Sequence, residues 1–197
     1  MLILTRRTTI AGAFATLATA AHSAPQPYRL LKDKSTVTFT FLVNGSAQTG
    51  RVPVSTADIR VDPGNLARSS AEVTADIREA RTGFGPVTQA LLSASVLDAK
   101  THPVVSFRST RIRLGAQGRI SEGARIEGDL TLRGVTAPLS LDAKLSRPAG
   151  SAPDDLSELY VDLTGALSRN TWGASGYADF VADGVRIDIH AEIRARA

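Results

Sequence analysis

The sequence predicts an all-β fold: an antiparallel sheet curled into a barrel of about eight strands, with one amphipathic helix near residues 84–99. Three observations carry this. Apolar and polar residues alternate with period two over most of the chain from residue 28 onward, as strands with one dry face require. The links between alternating runs are of hairpin length and rich in Gly, Asn, Asp and Pro. Only one stretch, 81–100, has helical spacing, so the crossover helices that a parallel sheet needs are missing. A sheet this large tends to curl, and closure removes its exposed edges. An immunoglobulin-like sandwich is the alternative architecture.

The elements follow in order. Residues 1–23 read as an export signal: Arg6 and Arg7 precede a short apolar run over 10–21, and the small residues Ala21 and Ser23 suit cleavage before Ala24. The run is too short for a bilayer of roughly 30 Å. Residues 5–10, TRRTTI, also resemble a twin-arginine signal, although Thr9 stands where a large apolar residue is usual. Both export routes stay open, and both lead out of the cytoplasm. Residues 24–197 then form one domain. In 35–43, Val37, Phe39, Phe41 and Val43 share a face, and Asn44-Gly45 is a hairpin turn. Runs at 49–54 and 56–61 are separated near Pro53, which favours a bend or an edge. Residues 62–65, DPGN, form a turn, and 70–77 alternate again.

Within 81–100, Val87, Ala90, Leu91, Ala94 and Leu97 recur at three and four, with Pro86 near the first turn. This helix should stop before His102-Pro103. Strands resume at 104–114, with a turn at 115–118. The stretch 128–141, GDLTLRGVTAPLSL, reads as a hairpin with its reversal between Gly134 and Pro138. A loop at 147–156, a strand at 158–167, an irregular segment at 168–177, a turn at Asp183-Gly184 and a last strand at 185–193 complete the chain.

Composition excludes several functions. The formal charge is +4; 23 Lys and Arg less Arg6 and Arg7 leave 21 against 19 acidic residues, net +2, in the expected domain. The basic residues are scattered, so nucleic acid is not an expected partner. The absence of cysteine removes disulfides, thiolate metal sites and cysteine nucleophiles. His22 leaves with the signal, and His102 and His190 have no spacing to each other or to carboxylates that suits a metal. Asp154-Asp155 belongs to a polar loop, and Glu127 and Asp129 lie on a strand's polar face. The segment 173–176, GASG, lacks the spacing of a nucleophile elbow, and Gly83-Phe84-Gly85 lacks the third glycine of a dinucleotide loop. No catalytic residue, cofactor or metal is expected, and the chain does not read as an enzyme.

What remains is an apolar interior. Phe39, Phe41, Val105, Phe107, Leu130, Leu132, Leu141, Val161, Leu163, Ile187 and Ile189 are expected to point inward. They either fill a core or line a cavity, since an eight-stranded barrel can do both. A long hydrocarbon in such a cavity gains about 0.8 kcal/mol per buried CH₂, with few polar contacts needed.

The stretch 128–141 resembles the hairpin of the YceI-like family of bacterial periplasmic polyisoprenoid-binding proteins, with its G-x-L-T-[IL]-x-G-V-T-x-P-[VL] pattern. Residues 28–39, 80–83, 97–110, 167–173 and 183–185 resemble further family segments in the same order. The resemblance implies a lipocalin-like barrel and a periplasmic carrier, not an enzyme. Its cavity would hold a long isoprenoid or another amphiphilic lipid of quinone, polyprenyl phosphate, or fatty amide or acid type. It adds Arg169 and Trp172, which match the family's arginine and aromatic, to the expected cavity wall. Lys34 and Val43 stand where many members carry histidines, which removes any head-group contact those histidines make. The expected partner is the lipid; transient membrane contact and a homodimer are left open. An envelope β-domain with a filled core, or an envelope hydrolase or isomerase, is the alternative function.

Overall fold

The computed structural model describes residues 24–115, 123–152 and 155–196. The expected export segment 1–23, residues 116–118 of an expected turn, and Asp154 lie outside the described residues. Eleven strand segments and one α-helix follow in order: β1 (Gln26–Leu30), β2 (Thr36–Val43), β3 (Ser46–Arg51), β4 (Val54–Val61), β5 (Ser70–Asp76), β6 (Arg81–Thr82), α1 (Gly85–Leu92), β7 (Val104–Leu114), β8 (Ala124–Leu132), β9 (Val135–Ser146), β10 (Glu158–Ser168) and β11 (Val181–Ala195).

The ladders are antiparallel and run β1-β4-β5-β7-β8-β9-β10-β11, with β11 pairing back onto β1. Eight strands thus close a ring, as the alternation predicts. The three remaining segments prolong it. β1 and β2 follow one another along the same edge of β11, broken by a 3-10 turn at Lys32–Lys34. β3 and β4 are broken at Val52-Pro53 and pair with β2 and β1 in turn. β5 and β6 are broken by a 3-10 turn at Ile77–Glu79 and pair with β4 and β3. The ring is an up-and-down barrel of eight staves, three of them bent.

Three expectations are corrected. The reversal of the 128–141 hairpin falls at Arg133-Gly134, not between Gly134 and Pro138. Both turn residues have positive φ (53° and 74°), and Leu132 pairs directly with Val135, the geometry of a two-residue hairpin. Pro138 lies inside β9, opposite Asp129. Counting from the closing pair, this is a non-hydrogen-bonded site toward β8. On the other side β10 pairs with β9 only as far as Leu141, so the missing N–H has no partner to lose.

Asp183-Gly184 is not a turn. β11 continues through it, paired with β10 up to Ser168↔Gly184, while a bulge against β2 spans Val181 to Val185. The Asp183 side chain accepts the Asn170 N–H at 3.0 Å. Finally, α1 ends at Leu92 rather than near residue 99. Ser93 Oγ donates to the Ala90 carbonyl at 2.7 Å, and Arg133 Nη1 donates to the Ala94 and Val96 carbonyls at 2.7 and 2.6 Å. Serine competes with the helical backbone, and a distant arginine claims the carbonyls that a longer helix would use. Leu97 still packs inward from the following turn.

The barrel has two unlike ends. At one lie α1 and the connections 43–46, 82–104, 132–135 and 168–181; at the other lie 61–70, 146–158, Ala24 and Arg196. At the second end Tyr28, Val61, Leu159 and Ile193 form a buried cluster. Tyr28 donates its hydroxyl to the Leu156 carbonyl at 2.7 Å. Burial, and after it the charge of Asp155, raises the Tyr28 pKa above the ordinary phenol value, so the donor stays protonated. Asp62 folds the 61–70 connection by accepting the Gly64 and Asn65 N–H groups at 3.0 Å each.

The hairpin geometry makes one substitution informative. A Cβ on Gly134 would stand 2.9 Å from the His102 ring at a positive φ. Gly134→Ala should therefore destabilise the barrel by at least about 1–2 kcal/mol, read as a lower urea midpoint with an unchanged slope.

Candidate ligand cavity

Period-two alternation aims every second side chain of each stave into the ring. In a solid core those side chains would be fully buried. Here Phe39, Val105, Phe107, Val161, Leu163, Ile187 and Ile189 point inward and are only partly buried. They border a lumen of about 630 Å³, within the roughly 300–1,000 Å³ range of small-molecule sites.

Twelve of the thirteen expected wall residues border this lumen: the seven just named, together with Phe41, Leu130, Leu132, Leu141 and Arg169. Trp172 does not, which corrects its expected place on the wall. It is 2% exposed and packs with Ile77, Ala99, Leu130, Leu132, Leu139 and Leu141. Its indole Nε1–H donates to the Leu130 carbonyl at 3.0 Å. A buried indole needs a partner for that donor, and the barrel supplies one in the packed wall near α1.

Glycines account for how the lumen stays open. Gly50 lies directly opposite Phe39, and a Cβ there would collide with the ring. Gly128 lies under the Phe107 ring and Gly165 under Leu141 in the same way. All three glycines fall on the inward face by register. Large side chains therefore lie flat along the wall instead of crossing the ring.

Arg169 is buried, at 5% exposure. Its guanidinium donates to the carbonyls of Ala174, Gly176 (2.8 Å), Val181 (2.9 Å) and Ala182 (3.1 Å). These bonds fold the segment between β10 and β11 over one edge of the opening. Gly176 N–H donates to Ser95 O at 2.8 Å and Asn44 N–H to Phe180 O at 2.8 Å. The β2–β3 turn, the turn after α1 and this segment are thereby joined around the mouth. The Asp183 carboxyl beside them is held below its usual range by the Ser168 hydroxyl first, then by the Asn170 N–H, with the Arg169 charge contributing.

Several lining residues were not among the expected wall residues. Val37 and Val43 were legible, because they share a face with Phe39 and Phe41, as were Ile126 beside Leu130 and Val185 beside Ile187. Val87, Ala90 and Leu91 line the helical end through the three-and-four spacing of α1. Tyr177 and Phe180 also line the lumen, but they sit in a segment with no period and carried no signal. Of the two positions that depart from the histidine pattern, Val43 borders the lumen. Lys34 does not: it pairs with Glu192 on the outer surface at 3.2 Å.

The lining is almost wholly apolar, and no Asp or Glu among the described residues borders it. The carboxylates stand outside, in cross-strand pairs such as Arg113–Glu127 (2.7 Å), Arg125–Asp142 (3.0 Å) and Arg194–Glu158 (2.6 Å). Exposed pairs of this kind contribute at most about 1 kcal/mol each. His190 borders the lumen but its Nδ1 is 2.7 Å from Asp162 at the exposed surface. Among the described residues, no three His, Asp or Glu side chains converge as metal ligands do. The arrangement can enclose an apolar chain, and it offers no carboxylate for proton transfer.

Comparison with known proteins agrees with this geometry. The YceI-like domain matches residues 28–193. A UPF0312 protein of Vibrio cholerae is 30% identical over 131 residues, 60% of this chain and 67% of that protein. One from Vibrio vulnificus is 28% identical over 95 residues, 48% of each chain. Among solved structures, BcnA of Burkholderia cenocepacia superposes with a TM-score of 0.71 at 19% identity, covering 83% of this chain and 99% of that one. A polyisoprenoid-binding domain from Saccharophagus degradans gives 0.61 at 13% identity, covering 87% and 99%.

The glycine arrangement is testable. Gly50→Ala should force the Phe39 ring off the wall, destabilising the barrel by about 1–3 kcal/mol of overpacking and weakening uptake of a fluorescent fatty-acid probe. Phe39→Ala in the same chain should relieve both effects. Unfolding and probe titrations of the single and double variants check this.

Proposed function

The chain belongs to the YceI-like family, and from its hollow barrel we propose that it binds a lipid, holding the long apolar chain inside the lumen. The single observation that carries this reading is the lumen itself: about 630 Å³, apolar almost throughout, and reaching the exposed side chains of Tyr177 and Phe180 at the end where α1 lies. The solved polyisoprenoid-binding domain of the same fold supports it. An isoprenoid or another amphiphile of similar build fits such a wall, because its affinity comes from burial and needs little polar recognition. A filled core is opposed by the partial exposure of the inward side chains. A hydrolase or isomerase is opposed by the lack of a lining carboxylate among the described residues.

The reading extends to place and role. The protein acts as a carrier in the periplasm, delivered there by the segment 1–23 with its Arg6-Arg7 pair and apolar run. It works by binding rather than by catalysis.

Solvent extraction and native mass spectrometry of the protein purified from its own host test this. A stoichiometric long-chain lipid is expected; repeated recovery of the bare protein, with no uptake of added isoprenoid, overturns the reading. Ile187 sits in the wall opposite Phe39. Ile187→Arg should lower probe affinity tenfold or more by placing an unpaired charge in the lumen, while circular dichroism reports an intact barrel.

A further inference from the structure

Six large apolar side chains among the described residues are exposed: Leu42, Phe84, Val104, Val135, Tyr177 and Phe180. Scattered singly they would need no explanation. They are not scattered. Leu42 precedes the β2–β3 turn, Phe84 and Val104 flank the α1 connection, Val135 opens β9, and Tyr177 and Phe180 lie between β10 and β11. All six lie at the α1 end, and none lies at the end where Tyr28, Leu159 and Ile193 are buried.

The same end is poor in charge. Residues 41–50, 82–97 and 170–178 contain no Asp, Glu, Lys or Arg, in a chain in which 21% of residues are charged. The connections 61–70 and 146–158 at the other end carry both signs, with Asp62, Arg68, Arg147 and Asp155 among them. The charges in the connections at the α1 end are few: Arg169 is buried, Arg133 is turned onto the Ala94 and Val96 carbonyls, and Asp98, Lys100 and Asp179 complete the set, so the rim is mainly aromatic and aliphatic.

We propose that this rim docks onto a lipid bilayer, mouth downward. Charge-poor loops bearing aromatic rings suit the zone between head groups and acyl chains, where charges are costly. Six side chains are few for a stable protein partner, which uses roughly 20–30 residues a side. Tyr177 and Phe180 belong to the rim and to the lining at once. A hydrocarbon chain leaving the bilayer there would pass from acyl chains to lumen along the same two rings without crossing water. The docking surface adjoins the lipid-binding lumen through these two rings, and docking does not depend on what fills it.

Flotation with phosphatidylethanolamine–phosphatidylglycerol vesicles tests the proposal on the full chain, comparing wild type with Phe84→Glu, Val104→Glu and the double variant. Both side chains are more than half exposed and neither borders the lumen, so the substitutions leave the interior untouched, and probe uptake by the lumen confirms the fold. Each single variant should float about tenfold less, from loss of one buried apolar side chain, and the double variant still less. Wild-type flotation should persist at about 1 M salt, where charges are screened within about 3 Å. Equal flotation of wild type and double variant, or no flotation of either, overturns the proposal. So does a wild-type dimer in sedimentation that the double variant abolishes, since the rim is then an interface between copies. Wild type that floats but takes up no probe supports docking and overturns the carrier reading instead.

Discussion

The pairing of β11 with both halves of a single bent stave is the contact on which the rest of the molecule depends. Its 15 residues meet β10 along one edge; along the other they meet β2 first and then β1. Without that second edge the sheet would be open, with two unpaired edges and an apolar face turned to water. With it, the alternating side chains of eight staves face one another across a lumen. The bulge between Val181 and Val185 lets β11 adjust its register against β2 while it stays in step with β10.

Closure makes a ring, but it does not decide whether the ring is filled. Packing is dense at both ends, around Trp172 near α1 and around Tyr28 at the other end. Between them, inward glycines let the neighbouring Phe39, Phe107 and Leu141 lie along the wall. Mean interior packing leaves few voids larger than a water molecule, so a lumen of about 630 Å³ departs from what a purely structural barrel would tolerate. The cost of the lost contacts is offset only when an apolar occupant restores them, which ties the shape of the wall to binding.

Charge is distributed to match. Carboxylates and their arginine partners occupy the outer face, where water screens them. The one buried guanidinium among the described residues, that of Arg169, is spent on backbone carbonyls. It orders the segment that brings Tyr177 and Phe180 to the mouth, so an apolar opening rests on a polar bracket. The same division separates the ends of the barrel: polar connections beside Tyr28, charge-poor and largely apolar ones beside α1.

The sequence by itself determined the all-β class, the inward face of each long strand, and hence most of the wall. Those depend on a period of two, which each strand displays locally at Phe39 and Phe41, Val105 and Phe107, or Ile187 and Ile189. The ordered resemblance of its segments determined the family. Only the tertiary structure decided the rest, because the deciding contacts join residues far apart in the chain. Arg133 ends α1 by taking carbonyls from residues 94 and 96; Leu130 offers the carbonyl that draws Trp172 into the packed wall; and the edge left free beside Pro138 lets a proline sit within a strand. Whether an apolar face is filled or hollow belongs to the same class. Alternation tells which way a side chain points, but the space left in front of it is set by residues on the other staves.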